Sequence, residues 1–415
     1  MGGRASLFLV LGFSLIFMVA GNYFNNMATG TTDNMIKYYQ STKAHNIAAS
    51  GVNLIVNKLF LDATIPDQTF NFNFDGGTAT GVLTTTDTYQ NIKRLLCTGT
   101  FNGTSTTIRI IFKPSLFSKY AYFSNSEGSN IWWTSGDTVK GPFHTNSSLN
   151  VSGHPTFFGR VTIGGSINKY NSSSSANFLG GFQQGIQIAI PNSGVSNVAT
   201  IAAQNGAQFS NKSLIYFEFR RDSVRYRFST SGSGSTWTYN LASTFAPNGV
   251  IYASNAELHI SGTVKGQYTI AASGTNSTTQ GNVYLDGDIV YNSDPRTNPN
   301  STDMLGIVAQ ENVYVTDNTA NNTNGININA SIYCQSGSFT AQNYSTRPAA
   351  GYINLYGGIT QYVRGPVGTF TTDWYGNSYI NHGFNKNYQY DNRLLVSYPP
   401  AYPGCGTFEV VSWFE

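Results

Sequence analysis

The stretch ASLFLVLGFSLIFMVAG, residues 5–21, runs for 17 positions without a charge, and no charge appears between Arg4 and Asp33. At a rise of about 1.5 Å per residue, such a run just crosses a hydrocarbon layer of about 30 Å. The chain then keeps its helical character through DNMIKYYQSTKAHNIAASGVNLIVNKLF, residues 33–60, with no turn signal before Pro66. Ile36, Tyr39, Ile47, Val52, Ile55 and Leu59 recur at mixed three- to five-residue intervals, close enough to 3.6 to form one apolar stripe. Lys37, Lys43, Asn46, Asn53 and Lys58 fall largely off that stripe. The pattern predicts one helix from Ala5 to Phe60, about 84 Å long. Its first half, carrying Leu7, Leu9, Leu11, Phe13, Leu15, Phe17 and Val19, is apolar all round and suited to lipid or a filament core. Its second half is amphipathic and suited to packing on a folded domain. A plain signal-anchor, or a signal peptide cleaved near Met18-Val19-Ala20, are the alternatives; the helical pattern running through that site argues against cleavage.

The remainder reads as mainly β. Of 415 residues only 10% are charged, and the net charge is +3. That disfavours nucleic-acid binding, which needs clustered Lys and Arg. With 43 Gly, 26 Tyr and 27 Phe, the composition suits many short strands and turns. After the linker Asp62–Gln68, strand-length segments Thr69–Phe74, Ala79–Thr86, Tyr89–Phe101 and Thr106–Lys113 alternate around Asp75-Gly76-Gly77 and Asn102-Gly103, predicting a small antiparallel sheet. From about Gly141 the strands shorten. Val250–Tyr252, Glu257–Ile260, Tyr268–Ile270, Val283–Leu285, Val313–Val315 and Ile326–Ile332 are each closed by Gly, Asn or Ser. Such segments are expected to be rungs of a right-handed β-helix, with a β-sandwich as the alternative. The expected organisation is a helix over 1–62, a small β domain over 63–140, a β-solenoid over 141–387 and a C-terminal cap over 388–415. An inserted region at 168–248 is expected to hold a hairpin, Leu214–Arg220 with Val224–Phe228, and a short helix near Val195–Ala203.

The opening resembles the type IV pilins and pseudopilins, which join a hydrophobic half-helix to an amphipathic half buried under a β-rich head. Pilins of the common kind carry an acid early in the apolar run, whereas Ala5–Thr32 has none. PilX-like minor pilins and pseudopilins that lack the acid are therefore nearer. AHNIAASG (44–51), NGVIYASNAELHISGTVKG (248–266) and the ending YDNRLLVSYPPAYPGCGTFEVVSWFE (390–415) resemble a family of bacterial surface proteins with no established biochemical activity. The resemblance implies a structural subunit of a pilus-like filament. Its partners would be copies of itself, the inner membrane before assembly, and pilus or secretion machinery, and its destination the cell surface. The alternatives are a membrane-anchored β-helix that binds or cleaves glycans, and a single-copy tip pseudopilin.

No catalytic, metal or cofactor site is expected. Asp286, Asp288, Asp294, Arg296 and Asp317 are the residues a polysaccharide-cleaving β-helix would use, but Asp-Gly and Asn-Ser-Asp-Pro are ordinary corner chemistry. His45, His144, His154, His259 and His382 show no ligand spacing. Trp132 and Trp133, beside Tyr120 and Tyr122, offer either a sugar platform or packing, and packing is preferred. Cys334 reads as a buried thiol, while Cys97 and Cys405 are left open to pair in an oxidising compartment.

Overall fold

The computed structural model describes residues 2–87, 91–128, 130–228, 236–274, 280–372 and 378–415. The chain divides into two compact units, Met1–Lys113 with Thr407–Glu415, and Pro114–Gly406. The expected boundary at 140/141 falls within the second unit.

The first unit is built on α1 (Gly2–Leu61) and a sheet of β1 (Gln68–Phe74), β2 (Gly77–Asp87), β3 (Ile92–Phe101), β4 (Thr104–Leu116) and the terminal strand Gly404–Phe414, in that order. The first four strands form an antiparallel meander. Asp75 and Gly76, at φ 46° and 81°, and Asn102 and Gly103, at 47° and 80°, turn two of its corners. Both central residues of such a two-residue turn need positive φ, which Asp-Gly and Asn-Gly tolerate. The predicted strand beginning at Tyr89 is seen from Ile92; Tyr89 lies outside the described residues. Alternation places Leu83, Leu95, Cys97, Ile108, Ile110 and Phe112 on one face, where they pack on Ile47, Ala48, Val52, Ile55 and Leu59 of α1. The terminal residues 404–414, expected in a cap, supply the fifth strand of this sheet.

In the second unit almost all pairing is parallel. One ladder has ten members, in spatial order 182–184, 161–163, 143–145, 122–126, 359–363, 331–334, 306–309, 269–272, 250–253 and 207–209. Its order is not the order of the chain. The chain enters in the middle at Tyr122–Ser126 and advances to one end at Phe182–Gln184. Residues 185–206 then carry it to the other end, at Ala207–Phe209, from which it returns to lie beside its entry point.

The register stacks Val161, Phe143, Tyr122, Ile359, Ile332, Ile307, Ile270 and Ile251 into one buried column. A second ladder joins 214–221, 257–264, 283–285, 313–315 and 339–341. A third runs through 326–330, 353–357 and 385–389, with 138–139, 156–157 and 177–178 continuing beyond the Lys140–Gln389 bridge. Inward side chains of all three merge in a single apolar cluster. No single segment has enough inward surface for a core, so stability comes from stacking.

The outward side of the ten-member ladder is covered too. Helix α2 (Gly194–Asn205) buries Val195, Val198 and Ala202 with Val250, Ala271, Val308 and Tyr333. The Val195 amide donates to Gln335 Oε1 at 2.9 Å, and Asn248 Nδ2 donates to the Ile201 carbonyl at 2.9 Å. The predicted hairpin is present as Leu214–Arg221 and Ser223–Phe228. Residues 168–248, expected as an insertion, also supply ladder members at 182–184 and 207–209, so the ladder runs through them.

Candidate functional site

The feature with the strongest functional content is α1. From Arg4 to Tyr39 none of its residues is buried. Leu7, Leu9, Leu11, Phe13, Leu15, Phe17 and Val19, the residues expected in lipid or a filament core, are all more than half exposed. The helix is long and apolar enough to cross a membrane, with a mean hydropathy of 2.0 over its best 18 residues. Thr29, Thr31 and Thr32 donate their hydroxyls to the carbonyls of Asn25, Met27 and Ala28 one turn back. The polar middle of the helix thereby satisfies these hydroxyls internally.

Of the six residues expected to pack on the head, Ile47, Val52, Ile55 and Leu59 are buried. Ile36 and Tyr39 are 47% and 57% exposed, which corrects the expectation for both. Apolar spacing tells which side of a helix is greasy, not where its partner stops. Here full burial begins at Ala44, and Tyr39 meets the edge of the Phe101 ring, with centroids 6.0 Å apart. Lys43 pairs with Asp75 at the turn between β1 and β2.

The stripe omitted the residues of closest approach. Ala44, Ala48 and Gly51 form a small-residue seam one helical face wide. A Cβ on Gly99 would lie 2.2 Å from the Ala44 carbonyl oxygen, and one on Gly51 would lie 2.8 Å from the Ala79 Cβ and 2.9 Å from Cys97 Sγ. AHNIAASG therefore encodes contact, and its small residues at i, i+4 and i+7 were the available signal.

The candidate acids are dispersed into separate local roles. Asp288 accepts from the Asn327 amide and from Asn327 Nδ2. Asp294 takes a two-pronged bond from Arg296, which holds its carboxyl below the usual range. Asp317 accepts from Asn343 and Asn322, with the same effect. Asp286 faces His259, whose Nδ1 lies 2.9 Å from both carboxylate oxygens while Nε2 lies 3.0 Å from Glu257 Oε1. Burial alone would push the His259 pKa down; the Asp286 and Glu257 contacts outweigh it and raise the pKa above 6.5. Tyr216 and Tyr284 stack on its two faces, so both ring nitrogens and both faces of this histidine are engaged. His144 is buried between Thr162 and Asn146, and burial lowers its pKa. His382 contacts the Arg347 carbonyl, His154 the Ser175 carbonyl, and His45 lies 3.9 Å from Glu415. Among the described residues no group of three His, Cys, Asp or Glu could hold a metal ion.

Trp133, Tyr122 and Tyr120 are buried, and Trp132 packs against Tyr170. Trp133 Nε1 donates to Glu127 Oε2 at 2.7 Å, and the Arg364 guanidinium lies over its ring at 4.1 Å. Tyr122 donates to Glu127 Oε1; burial and that carboxylate push its phenol pKa well up, keeping it a neutral donor. This is interior packing around a buried charge. All three cysteines are buried and none is in a disulfide, Cys97 packing against α1 and Cys405 in the cluster beneath α2, so the open Cys97–Cys405 pairing is not made. Burial raises the Cys97 thiol pKa to about 11.

A family model described as a domain of unknown function (DUF4900) matches residues 71–166. No curated protein matches the chain. Among solved structures, the competence-associated pilin ComZ from Thermus thermophilus is similar at 12% identity and a TM-score of 0.36, over 91% of this chain and 97% of that one.

Proposed function

We propose that the protein is a structural, non-enzymatic subunit of a pilus-like filament, held in the inner membrane by α1 before assembly and displayed at the cell surface afterwards. The observation that carries this reading is the division of α1. Residues 44–59 are committed to the sheet, while the apolar surface from Ala5 to Gly21 has no cover. A helix that is apolar all round must be buried, in lipid or against other helices. Copies of the chain can bury the same surface against one another on leaving the bilayer, where water would otherwise meet it. Pilus or secretion machinery would move the helix between the two states. We read the three parallel ladders as a right-handed β-solenoid: their inward columns converge on one core, and each ladder is continued rung by rung. Such a head needs no partner to fold.

The lack of any acid from Ala5 to Thr32 favours one variant of this reading, a tip subunit present once per assembly, because the run offers no carboxylate to pair with a neighbour's cationic N-terminus. The dispersal of Asp286, Asp288, Asp294 and Asp317 supports a non-catalytic head. Phe13→Asp tests the helix: a carboxylate at that depth costs about 2.5–3.5 kcal/mol on insertion scales. Expected is loss of the protein from membranes and from sheared surface fibres, with the β-rich part still folded. Normal fibres carrying this variant would refute the proposal. A head that depolymerises a polysaccharide, and loses this with Asp286→Asn plus Asp288→Asn, would refute the non-catalytic part.

A further inference from the structure

On the outward face of the second ladder, Tyr216, His259, Tyr284, Tyr314 and Thr340 follow one another in register. The first four rings stack, with centroids 4.6, 4.6 and 5.0 Å apart and planes within 28° of parallel. The stack stops at Thr340, whose hydroxyl donates to the Pro366 carbonyl at 2.5 Å. Where a fifth ring would continue it, there is a groove of about 470 Å³. Tyr284 and Tyr314 line it, with Tyr344 among the other lining residues, and Asn312, Ser338, Gln342 and Asn343 bring amides and a hydroxyl.

Three properties of this groove select a ligand. Its size is that of a small-molecule site. No lining residue is charged. The phenol hydroxyls of Tyr284, Tyr314 and Tyr344 have no hydrogen-bond partner among the described residues, and only one face of the Tyr314 ring is covered by another ring. A flat apolar face edged by neutral donors and acceptors matches a pyranose, which offers C–H groups on its face and hydroxyls around its rim. An acidic sugar would bring a carboxylate to a wall with no cation. We propose that this groove binds a neutral oligosaccharide, with one sugar ring stacked on the open face of Tyr314. No residue of α1 lines this groove, so the proposal does not rest on the filament reading.

The test uses the full chain in lauryldimethylamine oxide micelles, since maltoside detergents would compete. Cellohexaose, hexa-N-acetylchitohexaose and trigalacturonate are titrated by calorimetry into the wild type, Thr340→Tyr and Tyr314→Phe. Saturable binding of at least one neutral hexamer is expected, and none of trigalacturonate. Thr340→Tyr continues the stack into the groove and should weaken binding by at least about tenfold with an unchanged circular-dichroism spectrum, the size expected for losing one ring contact. Tyr314→Phe keeps the ring but loses one hydroxyl of the wall, so it should bind more weakly than the wild type and more tightly than Thr340→Tyr. Absence of binding by both hexamers, tighter binding of trigalacturonate, or undiminished affinity in a folded Thr340→Tyr would each overturn the proposal.

Discussion

Gly99 of β3 sits directly under Ala48 of α1: a Cβ added to the glycine would lie 2.4 Å from the Ala48 amide nitrogen and 3.0 Å from its Cα. The obstacle is backbone, which cannot rotate aside. Helix and sheet are thus held at a spacing that only glycine permits at this point.

Gly99→Val should therefore lift the helix from the sheet and open gaps around Val52 and Ile55. Overpacking of this kind costs about 1–3 kcal/mol. The melting temperature of the sheet unit should fall by several degrees, and hydrogen exchange over residues 44–59 should accelerate. Gly103→Val makes the contrast: a Cβ there meets nothing within 4 Å, so its cost is the strain of a φ of +80° at the turn, and residues 44–59 should keep their protection. Equal protection of residues 44–59 in wild type and Gly99→Val would show that the close approach is not limiting.

Much of this architecture was legible because it rests on local chemistry. The uncharged run from Ala5, the Asp75-Gly76 and Asn102-Gly103 turns, and the alternation of Leu214–Phe228 each declare their conformation within a few residues. Ile36 and Tyr39 were misplaced because periodicity carries no information about where a partner ends. The ladder order was hidden for a deeper reason. Tyr122 pairs with Ile359, and no short-range pattern encodes a contact across so much chain. Asp286 meets His259 for the same reason, from a neighbouring rung, whereas Glu257 shares the face of His259 by alternation along one strand.

The joint between the two arms of the ladder is also where its interior carries charge. Glu127 and Arg364 form a 2.9 Å ion pair, both almost fully buried, beside the pairing of Ser126 with Val363. Glu127→Gln should leave Arg364 charged without its counter-ion, a loss of about 3–5 kcal/mol. Combining it with Arg364→Met should recover much of that loss, because replacing a buried pair as a whole is often near neutral. Urea melts of the four proteins provide the cycle. A single mutant as stable as the wild type would mean that the pair does not secure this joint.

The contacts of His259 make stability depend on pH with a defined sign. Its pKa is raised in the folded state above 6.5, so folding takes up a proton between the two pKa values. The stabilisation is fully present below pH 6.5 and is lost as pH rises through the folded pKa. The melting-temperature difference between wild type and His259→Gln should accordingly be largest near pH 5.5 and shrink on the alkaline side. An imidazole titration followed by NMR should give a midpoint above 6.5. A midpoint below it would mean that burial outweighs Asp286 and Glu257.

The division of α1 predicts opposite fates for two truncations. Removing residues 1–32 takes away the exposed apolar run and leaves Ile47, Val52, Ile55 and Leu59 on the sheet, each side chain contributing about 1.5–3 kcal/mol by burial. That protein should be soluble, monomeric and β-rich. Its helix should be protected from hydrogen exchange around Val52–Leu59 and fray towards Asp33, since full burial begins only at Ala44. Removing residues 1–60 instead bares Leu83, Leu95, Ile108, Ile110 and Phe112 together, a contiguous apolar face of the kind that drives association. It should aggregate, or be recovered only in detergent. The comparison separates two roles that a single deletion confuses: residues before Asp33 carry the proposed assembly or anchoring, while residues after Ala44 serve the fold. If both truncations are equally soluble and monomeric, the second half of α1 is dispensable to the sheet, and the helix becomes a stalk rather than a shared element of membrane, filament and head.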